Sequence, residues 1–316
     1  MRPFRFGLAA ARFNEPEQWR AYARRAEEAG YDCFMVPDHL GRLTTFPALM
    51  AAADATRHIK LATYVLNQDF RPPGLLAHEA ASVHLLTGGR LQLGIGAGWA
   101  LREYTQLGLK YDAAGVRVSR FEEYLEVVRG VLHATQPFSY AGKFFTLENC
   151  APLEPHFSPP PPILVGGGSP RIMGIAGRLA DIISVATRAT ADGRVDMPNI
   201  SLAAVEDKVR RIRGAAGDRF DQIQLNITMR DLRVTEDRRA AAREMLNAWS
   251  QAPMMANVDQ LTEDDVLESP FVAVGTVDQI VEQFEKARAR WGFSFLEIYN
   301  SDFEALAPFM ERLNGR

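Results

Sequence analysis

The stretch GRLQLGIGAGW, residues 89–99, decides between two ways of folding this chain. Its apolar part predicts a buried strand, and glycines stand at positions 94, 96 and 98. A dinucleotide-binding fold needs G-x-G-x-x-G at its first strand–helix turn, with an acidic residue about 20 positions later. Here Trp99 replaces the third glycine, and the strand is the fourth of the chain. The stretch therefore predicts a strand that ends at the mouth of a parallel barrel. Glycines at such a position also have a purely structural explanation, because they let a loop turn sharply.

Eight short apolar runs alternate with amphipathic stretches, a pattern typical of a parallel sheet covered by helices. They are FRFGLAA, CFMVP, KLATYVL, LQLGIG, PILVGG, DIISVA, IQLNITM and FLEIYN, and several are apolar almost throughout, as expected of strands buried on both faces. Three connections, 97–116, 137–161 and 230–276, are too long for simple turns, and the second contains a predicted hairpin, SYAGKFFTL. We predict one α/β domain over residues 1–316, a (β/α)8 TIM barrel with insertions after strands four, five and seven.

The composition disfavours several classes of function. The chain has 316 residues and a net charge of −3, whereas a nucleic-acid-binding face is visibly basic. No apolar run approaches the roughly 18 residues that span a membrane, and Arg5 interrupts the apolar part of any signal peptide. Cys33 and Cys150 are far apart and indicate reduced thiols. We expect a cytoplasmic protein that acts on a small molecule, without nucleic-acid or membrane partners.

A second glycine-rich segment ends the fifth predicted strand: Gly166, Gly167, Gly168, Ser169 and Pro170. Serine as the N-cap and proline at the first helical position predict a helix that starts here. Three glycines let backbone N–H groups converge on a ligand, and a helix N-terminus favours an anion. A well-capped helix after a tight turn needs no ligand, but two neighbouring strands with glycine-rich ends favour a cofactor that carries phosphate.

The other strand ends carry little chemistry. Only Asp38 and His39, after the second strand, have metal-ligand chemistry, and sequence neighbours rarely bind one ion together. The chain contains neither H-E-x-x-H nor G-x-S-x-G, so we predict no metal site and no serine nucleophile. We therefore expect a bound cofactor to carry the reaction, with the protein supplying orientation and electrostatics.

Several motifs, taken in order, resemble the luciferase-like flavin and deazaflavin oxidoreductases. They are LNQDFRPPGLLAHEAASVHLLTGGRLQLGIGAGW, REY, LGL, R-x-x-R-F-E-E, A-G-K-F-F-T-L, PPPPILVGGGSP and a late VGT, and they cover nearly the entire chain. The resemblance is strongest to the branch that uses coenzyme F-420, an 8-hydroxy-5-deazaflavin, and FMN-using members share much of the pattern. It implies a barrel, usually a homodimer, that holds the tricyclic ring of the cofactor at its mouth.

The resemblance also implies roles for individual residues. Asp38 and His39 would lie beside the ring, and Asn67 would approach its polar edge. Tyr64 and Val65 would form a non-prolyl cis peptide that backs the ring. The residues implied to flank the ring are Gly96, Ala97, Gly98 and Trp99. Those implied to hold the phosphate are Gly166, Gly167, Gly168, Ser169 and Pro170.

The predicted activity is hydride transfer between the deazaflavin and a small organic substrate. His39 and Asp38 are the catalytic candidates, His39 because an imidazole titrates near neutrality. An FMN-dependent monooxygenase and a non-catalytic flavin-binding barrel are alternatives, and a metal hydrolase is disfavoured. The sugar-phosphate dehydrogenase of this superfamily has a catalytic acid after its first strand, where this chain has Ala10, Ala11 and Arg12. Glucose-phosphate oxidation is therefore not expected.

Overall fold

Eight parallel strands close into a barrel in the computed structural model, which describes residues 1–10, 15–154, 158–190, 192–299 and 304–315. The strands are Arg5–Ala9, Cys33–Val36, Lys60–Thr63 continued by Leu66–Asn67, Leu91–Gly96, Ile163–Gly167, Ile182–Val185, Gln224–Met229 and Phe293–Tyr299. Each pairs with the next along the chain, and the eighth pairs with the first. All eight predicted strands and the TIM barrel are confirmed. Ala11 and Arg12, discussed above for the absent acid, lie outside the described residues.

Helices surround this barrel over the described ranges. They are α1 (Pro16–Glu28), α2 (Thr45–Ala55), α3 (Pro73–Leu86), α4 (Leu101–Gln106), α5 (Ala114–His133), α6 (Pro170–Leu179), α7 (Leu202–Ala216), α8 (Arg238–Gln251), α9 (Glu263–Glu268), α10 (Val277–Trp291) and α11 (Ala307–Leu313). Local sequence sets their ends: Thr276 forms a capping box at the start of α10, and Gly292 ends that helix with a φ of 93°. None of these helices has both the length and the apolar character of a membrane span.

The positions of the insertions differ in part from the prediction. Long segments follow strands four and seven as predicted, but α6 begins three residues after the fifth strand ends, so no insertion follows that strand. The predicted hairpin, Phe138–Ala141 with Thr146–Cys150, instead joins α5 to the fifth strand. A segment that was not predicted, residues 186–201, follows strand six and contains Val195–Asp196, which pairs with Met255–Ala256. It is polar and lacks a repeating apolar pattern, so periodicity gave no signal for it.

The interior of the barrel changes character toward the mouth, the end where the strands finish. Apolar side chains fill the middle of the interior, where a Cβ at Gly7 would lie 2.8 Å from Met35 Sδ and 2.9 Å from the Phe295 ring. Below them, Arg5 Nη1 donates to Gln224 Oε1 at 2.6 Å. Nearer the mouth the interior holds hydroxyl, amide and carboxyl groups: Tyr64, Ser184, Asn226, Thr228 and Glu297. Because barrel interiors are ordinarily filled by apolar side chains, this polar layer marks the mouth as the part of the fold to examine.

Candidate functional site

The third strand is interrupted at the mouth by a cis peptide bond between Tyr64 and Val65, as the resemblance implied. The Val65 side chain packs against glycines of the two following strands: a Cβ at Gly96 would lie 2.7 Å from Val65 Cγ2, and one at Gly166 would lie 3.1 Å from Cγ1. A Cβ at Gly94 would lie 1.9 Å from Thr63 O. Gly94 and Gly96 of the opening stretch therefore have a structural cause, since a side chain at either position would collide with the interrupted strand.

Tyr64 points into the polar layer of the barrel. Its hydroxyl lies 2.6 Å from Ser184 Oγ, 2.7 Å from Thr228 Oγ1 and 2.9 Å from Asn226 Oδ1. Burial raises the pKa of this phenol well above 10. The hydroxyl is therefore a neutral hydrogen-bonding group that ties the interrupted strand to strands six and seven.

Glu297, on the eighth strand, is fully buried beside Tyr64 and Thr228. Neither of its carboxyl oxygens makes a hydrogen bond of ordinary geometry with the described residues. Burial raises the pKa of this acid to about 8, because an unpaired carboxylate is poorly solvated there. The sequence carried one overlooked signal for it, a single acid inside the otherwise apolar run FLEIYN.

Asp38 and Asn67 both lie at the mouth, but their side-chain oxygens bind protein groups. Asp38 Oδ2 accepts hydrogen bonds from Asn67 N at 3.1 Å and Arg71 Nη1 at 3.0 Å, and Oδ1 accepts one from Thr45 Oγ1 at 3.3 Å. Asn67 Oδ1 accepts from Tyr104 Oη at 3.1 Å and from a backbone N–H at 3.0 Å. The contacts fix the loop after the third strand, so Asp38 is held with its charge compensated by Arg71.

His39 lies at the rim of the mouth and is paired with an acid. Its Nδ1 lies 2.8 Å from Glu103 Oε1, which also accepts a hydrogen bond from Leu40 N at 3.2 Å. The imidazole side chain is 33% exposed and the Glu103 side chain 13%, so the acid lies behind the ring. The Trp99 ring stands edge-on to the imidazole, 6.1 Å between centroids, and is itself half exposed. The sequence prediction missed Glu103, which is the acid of the REY motif in the first turn of α4.

The loop after strand four is shaped by close contacts. Gly98 has a φ of 72°, and a Cβ there would lie 2.0 Å from Tyr104 Oη. Arg117 Nε donates to Gly98 O at 3.3 Å, and the Arg117 guanidinium stacks over Tyr111 at 4.0 Å. Ala97 packs partly buried against the core. These contacts hold Trp99 at the rim beside His39.

The fifth strand leads into α6 as predicted, with Pro170 in the first turn and Ser169 Oγ accepting from Ile172 N at 3.4 Å. A Cβ at Gly168 would lie 2.3 Å from Ala186 O. A Cβ at Gly167 would lie 2.5 Å from Ile172 Cγ2. These glycines thus let the turn pack against strand six and α6, while the first N–H groups of α6 face away from the helix.

Comparison with known proteins adds family information to this geometry. A family model described as luciferase-like monooxygenase matches residues 3–294. The chain is 31% identical over 175 residues to an F420-dependent glucose-6-phosphate dehydrogenase of Amycolatopsis mediterranei (strain U-32), covering 52% of this chain and 52% of that protein. It is 27% identical over 302 residues to a protein of the same name from Nakamurella multipartita, covering 92% of this chain and 83% of that one. Several such alignments thus span only about half the length of the relative.

The fold is also found among solved structures. An F420-dependent secondary alcohol dehydrogenase, solved in complex with an F420-acetone adduct, matches with a TM-score of 0.74 over 99% of this chain and 98% of that chain. Sequence identity in that match is 19%, so it shows a common fold.

Proposed function

This chain belongs to the luciferase-like monooxygenase family, and on that premise we propose that it is a deazaflavin-dependent oxidoreductase. It would use coenzyme F-420 to transfer a hydride to or from a small organic substrate. The names of its curated relatives support the choice of cofactor, because two of those quoted above are F420-dependent dehydrogenases. The observation that carries the proposal for this chain is the His39–Glu103 pair at the mouth, with Nδ1 and Oε1 2.8 Å apart.

The residues of the mouth fit an elongated cofactor with an anionic end. Small residues at positions 96 and 166 leave Val65 as the surface at the base of the mouth, which suits the face of a flat ring. Gly166, Gly167, Gly168, Ser169 and Pro170 lead into the N-terminus of the ten-residue helix α6, which favours a phosphate. Gly96, Ala97, Gly98 and Trp99 would lie beside the ring. When bound, the deazaflavin would supply the position that accepts or releases the hydride.

The pair of His39 and Glu103 supplies the proton transfer that must accompany hydride transfer at an alcohol or carbonyl carbon. A carboxylate only accepts hydrogen bonds, so the short contact places the imidazole proton on Nδ1. The lone pair of Nε2 then remains available, and Nε2 makes no hydrogen bond with the described residues. His39 would take the hydroxyl proton of the substrate during oxidation and return it during reduction. Asp38 acts differently, since its carboxylate is paired with Arg71 and positions the loop that carries Asn67.

The first test is a binding titration with coenzyme F-420 and FMN, each in oxidised and reduced form. We expect at least about tenfold tighter binding of F-420. The second test follows the absorbance of the oxidised deazaflavin with a panel of small alcohols. His39→Asn should lower kcat by about 10²- to 10⁴-fold, the usual contribution of a general base, and change the cofactor Kd little. His58→Asn, which removes an exposed imidazole, is the matched control and should behave as the wild type.

Two results would redirect the proposal. Preference for FMN, with oxygen consumption by the reduced complex, would indicate the FMN-dependent monooxygenase. Tight binding of either cofactor without electron exchange with any tested substrate or reductant would indicate a non-catalytic flavin-binding barrel. We also keep the homodimer as a prediction, which light scattering of the purified protein tests directly.

A further inference from the structure

Arg230 follows the seventh strand and lies at the mouth, where strands six, seven and eight end. Its Nη2 donates to Thr187 Oγ1 at 3.2 Å, and its Nη1 contacts Met255 Sδ at 3.7 Å. Tyr299, which ends the eighth strand, is close enough to interact with it electrostatically. The guanidinium is therefore held in place by groups from three segments of the chain.

The hydrogen-bonding capacity of this guanidinium is mostly unused. Its Nε is buried and has no acceptor within the described part of the chain. A thioether sulfur, the contact of Nη1, is a weak acceptor. No described carboxylate lies within 4.0 Å of Arg230, and burial lowers the pKa of its guanidinium. Buried charges are ordinarily paired, and an unmet buried donor costs about 1–3 kcal/mol. Such a group is expected where a ligand completes the pairing.

The charges around Arg230 reinforce this point. Lys208 is buried, and both Arg188 and Arg230 act on it electrostatically. The nearby acid, Asp196, is already used: it accepts from Arg188 Nη2 at 2.6 Å. It also accepts hydrogen bonds at 2.7 Å from the amide groups of two asparagines, Asn199 and Asn257. Asp196 is thus paired with Arg188 rather than with Arg230, whose guanidinium has no carboxylate partner among the described residues.

The order of strands places this group across the barrel from the proposed ring surface. Strand seven is four positions from strand three, which carries Val65, and strand six is four positions from strand two, which leads to His39. A substrate that lies over the ring and beside His39 can therefore extend toward Arg230.

We propose that Arg230, with Thr187, binds an oxyanion of the substrate, a carboxylate or a phosphate. A guanidinium presents paired N–H donors that match the oxygens of such a group in a bidentate arrangement. This inference rests on the proposed function for the identity of the mouth as a substrate site, and it narrows the substrates to small organic anions.

The experiment measures binding of inorganic phosphate and of acetate, at constant ionic strength with chloride as the reference ion, by calorimetry. It is performed on wild type and Arg230→Met, with saturating coenzyme F-420 and again without it. Both proteins retain the N-terminus of α6, so the difference between them reports the Arg230 site alone. We expect at least one of the anions to bind wild type, and Arg230→Met to weaken that binding at least tenfold. Arg243→Gln, which removes an exposed arginine of α8, should bind as the wild type does.

Arg230→Lys keeps the charge and serves if the methionine variant does not fold. It should still weaken binding at least threefold, because an ammonium group lacks the planar pair of donors. Equal binding by wild type and both variants, or no binding of either anion to wild type, would overturn the proposal. A failure of coenzyme F-420 to bind is a separate result, which counts against the proposed function and leaves the comparison of Arg230 variants interpretable.

Discussion

Replacing Glu297 with glutamine should remove a pH dependence from the stability of the barrel. Burial raises the pKa of this acid from 4.5 to about 8. Between those values the folded protein holds a proton that the unfolded chain has lost, so unfolding releases a proton. The stability of the wild type relative to the variant is therefore greatest below pH 4.5 and falls as the pH rises toward 8. Glutamine has nearly the same shape and does not ionise.

The size of the effect follows from the shift in the pKa. Each pH unit inside the interval changes the free energy of unfolding by about 1.4 kcal/mol. From pH 5 to pH 7.5, the wild type should lose roughly 3 kcal/mol of stability relative to Glu297→Gln. All other titrating groups are common to the two proteins, so their contributions cancel in the difference.

Urea unfolding followed by tryptophan fluorescence, at half-unit steps between pH 5 and pH 8, measures this difference. Glu236→Gln, which removes an exposed carboxylate, is the matched control and should run parallel to the wild type. A difference between wild type and Glu297→Gln that stays constant with pH would refute the reasoning. It would mean that Glu297 is ionised in the folded protein and has found a partner or water.

Two further predictions concern the packing around Gly94 and the protonation of Lys208 in α7. Gly94→Ala places a Cβ 1.9 Å from Thr63 O and should lower the free energy of unfolding by more than about 2 kcal/mol. Gly214→Ala, in α7 with open space around it, should be neutral or stabilising by up to about 1 kcal/mol, and equal losses by urea unfolding would contradict the contact. Lys208→Met tests a buried base whose pKa is lowered to about 7. Because the unfolded lysine keeps a proton that the folded one releases, wild type should gain about 2 kcal/mol relative to this variant from pH 7 to pH 9, and parallel curves would show that Lys208 stays charged.

The barrel itself could be predicted from the sequence for a simple physical reason. Strands buried on both faces need apolar residues almost throughout, and eight such runs separated by amphipathic helices leave few other arrangements. The positions of the insertions were harder to predict. The length of a connection shows that it contains more residues than a simple turn, but it does not show whether they follow or precede a given strand. A helix, α5, separates the hairpin from the preceding strand, and that fact places it before strand five.

The site was predictable only where a single segment determines it. The segment from Gly166 to Pro170 predicts a capped helix, and His39 is recognisable as an imidazole that follows a predicted strand. The partner of His39 is 64 residues away in the chain, and no local pattern joins the two. Similarly, the sequence shows Glu297 only as one acid in an apolar run, and its position beside Tyr64 results from the closure of the barrel. Pairings across the barrel depend on tertiary closure, which periodicity does not encode.

The glycines illustrate how the same residues serve structure and function. At the sequence level they favoured a phosphate-bearing ligand, and the structure gives several of them a different immediate cause, the space taken by Val65 and by Thr63 O. The two explanations are compatible, because Val65 occupies the base of the mouth only if the following strands carry no side chains there. The ring-binding surface that we propose therefore requires the glycines even if no glycine touches the ring.

The two halves of the mouth differ in how completely their polar groups are paired. On the side of strands two to five, Asp38 is paired with Arg71, and His39 with Glu103. On the side of strands six to eight, Arg230 has a buried donor, Nε, without an acceptor in the described part of the chain. Charged groups that are already paired are held in place before any ligand binds, which suits the proposed cofactor, because a cofactor is the same in every turnover. A half with an unmet donor gains the most when a complementary group arrives, so we expect discrimination among substrates there. We therefore expect substitutions at strands six to eight to change substrate preference, and substitutions at strands two to five to change either cofactor affinity or kcat.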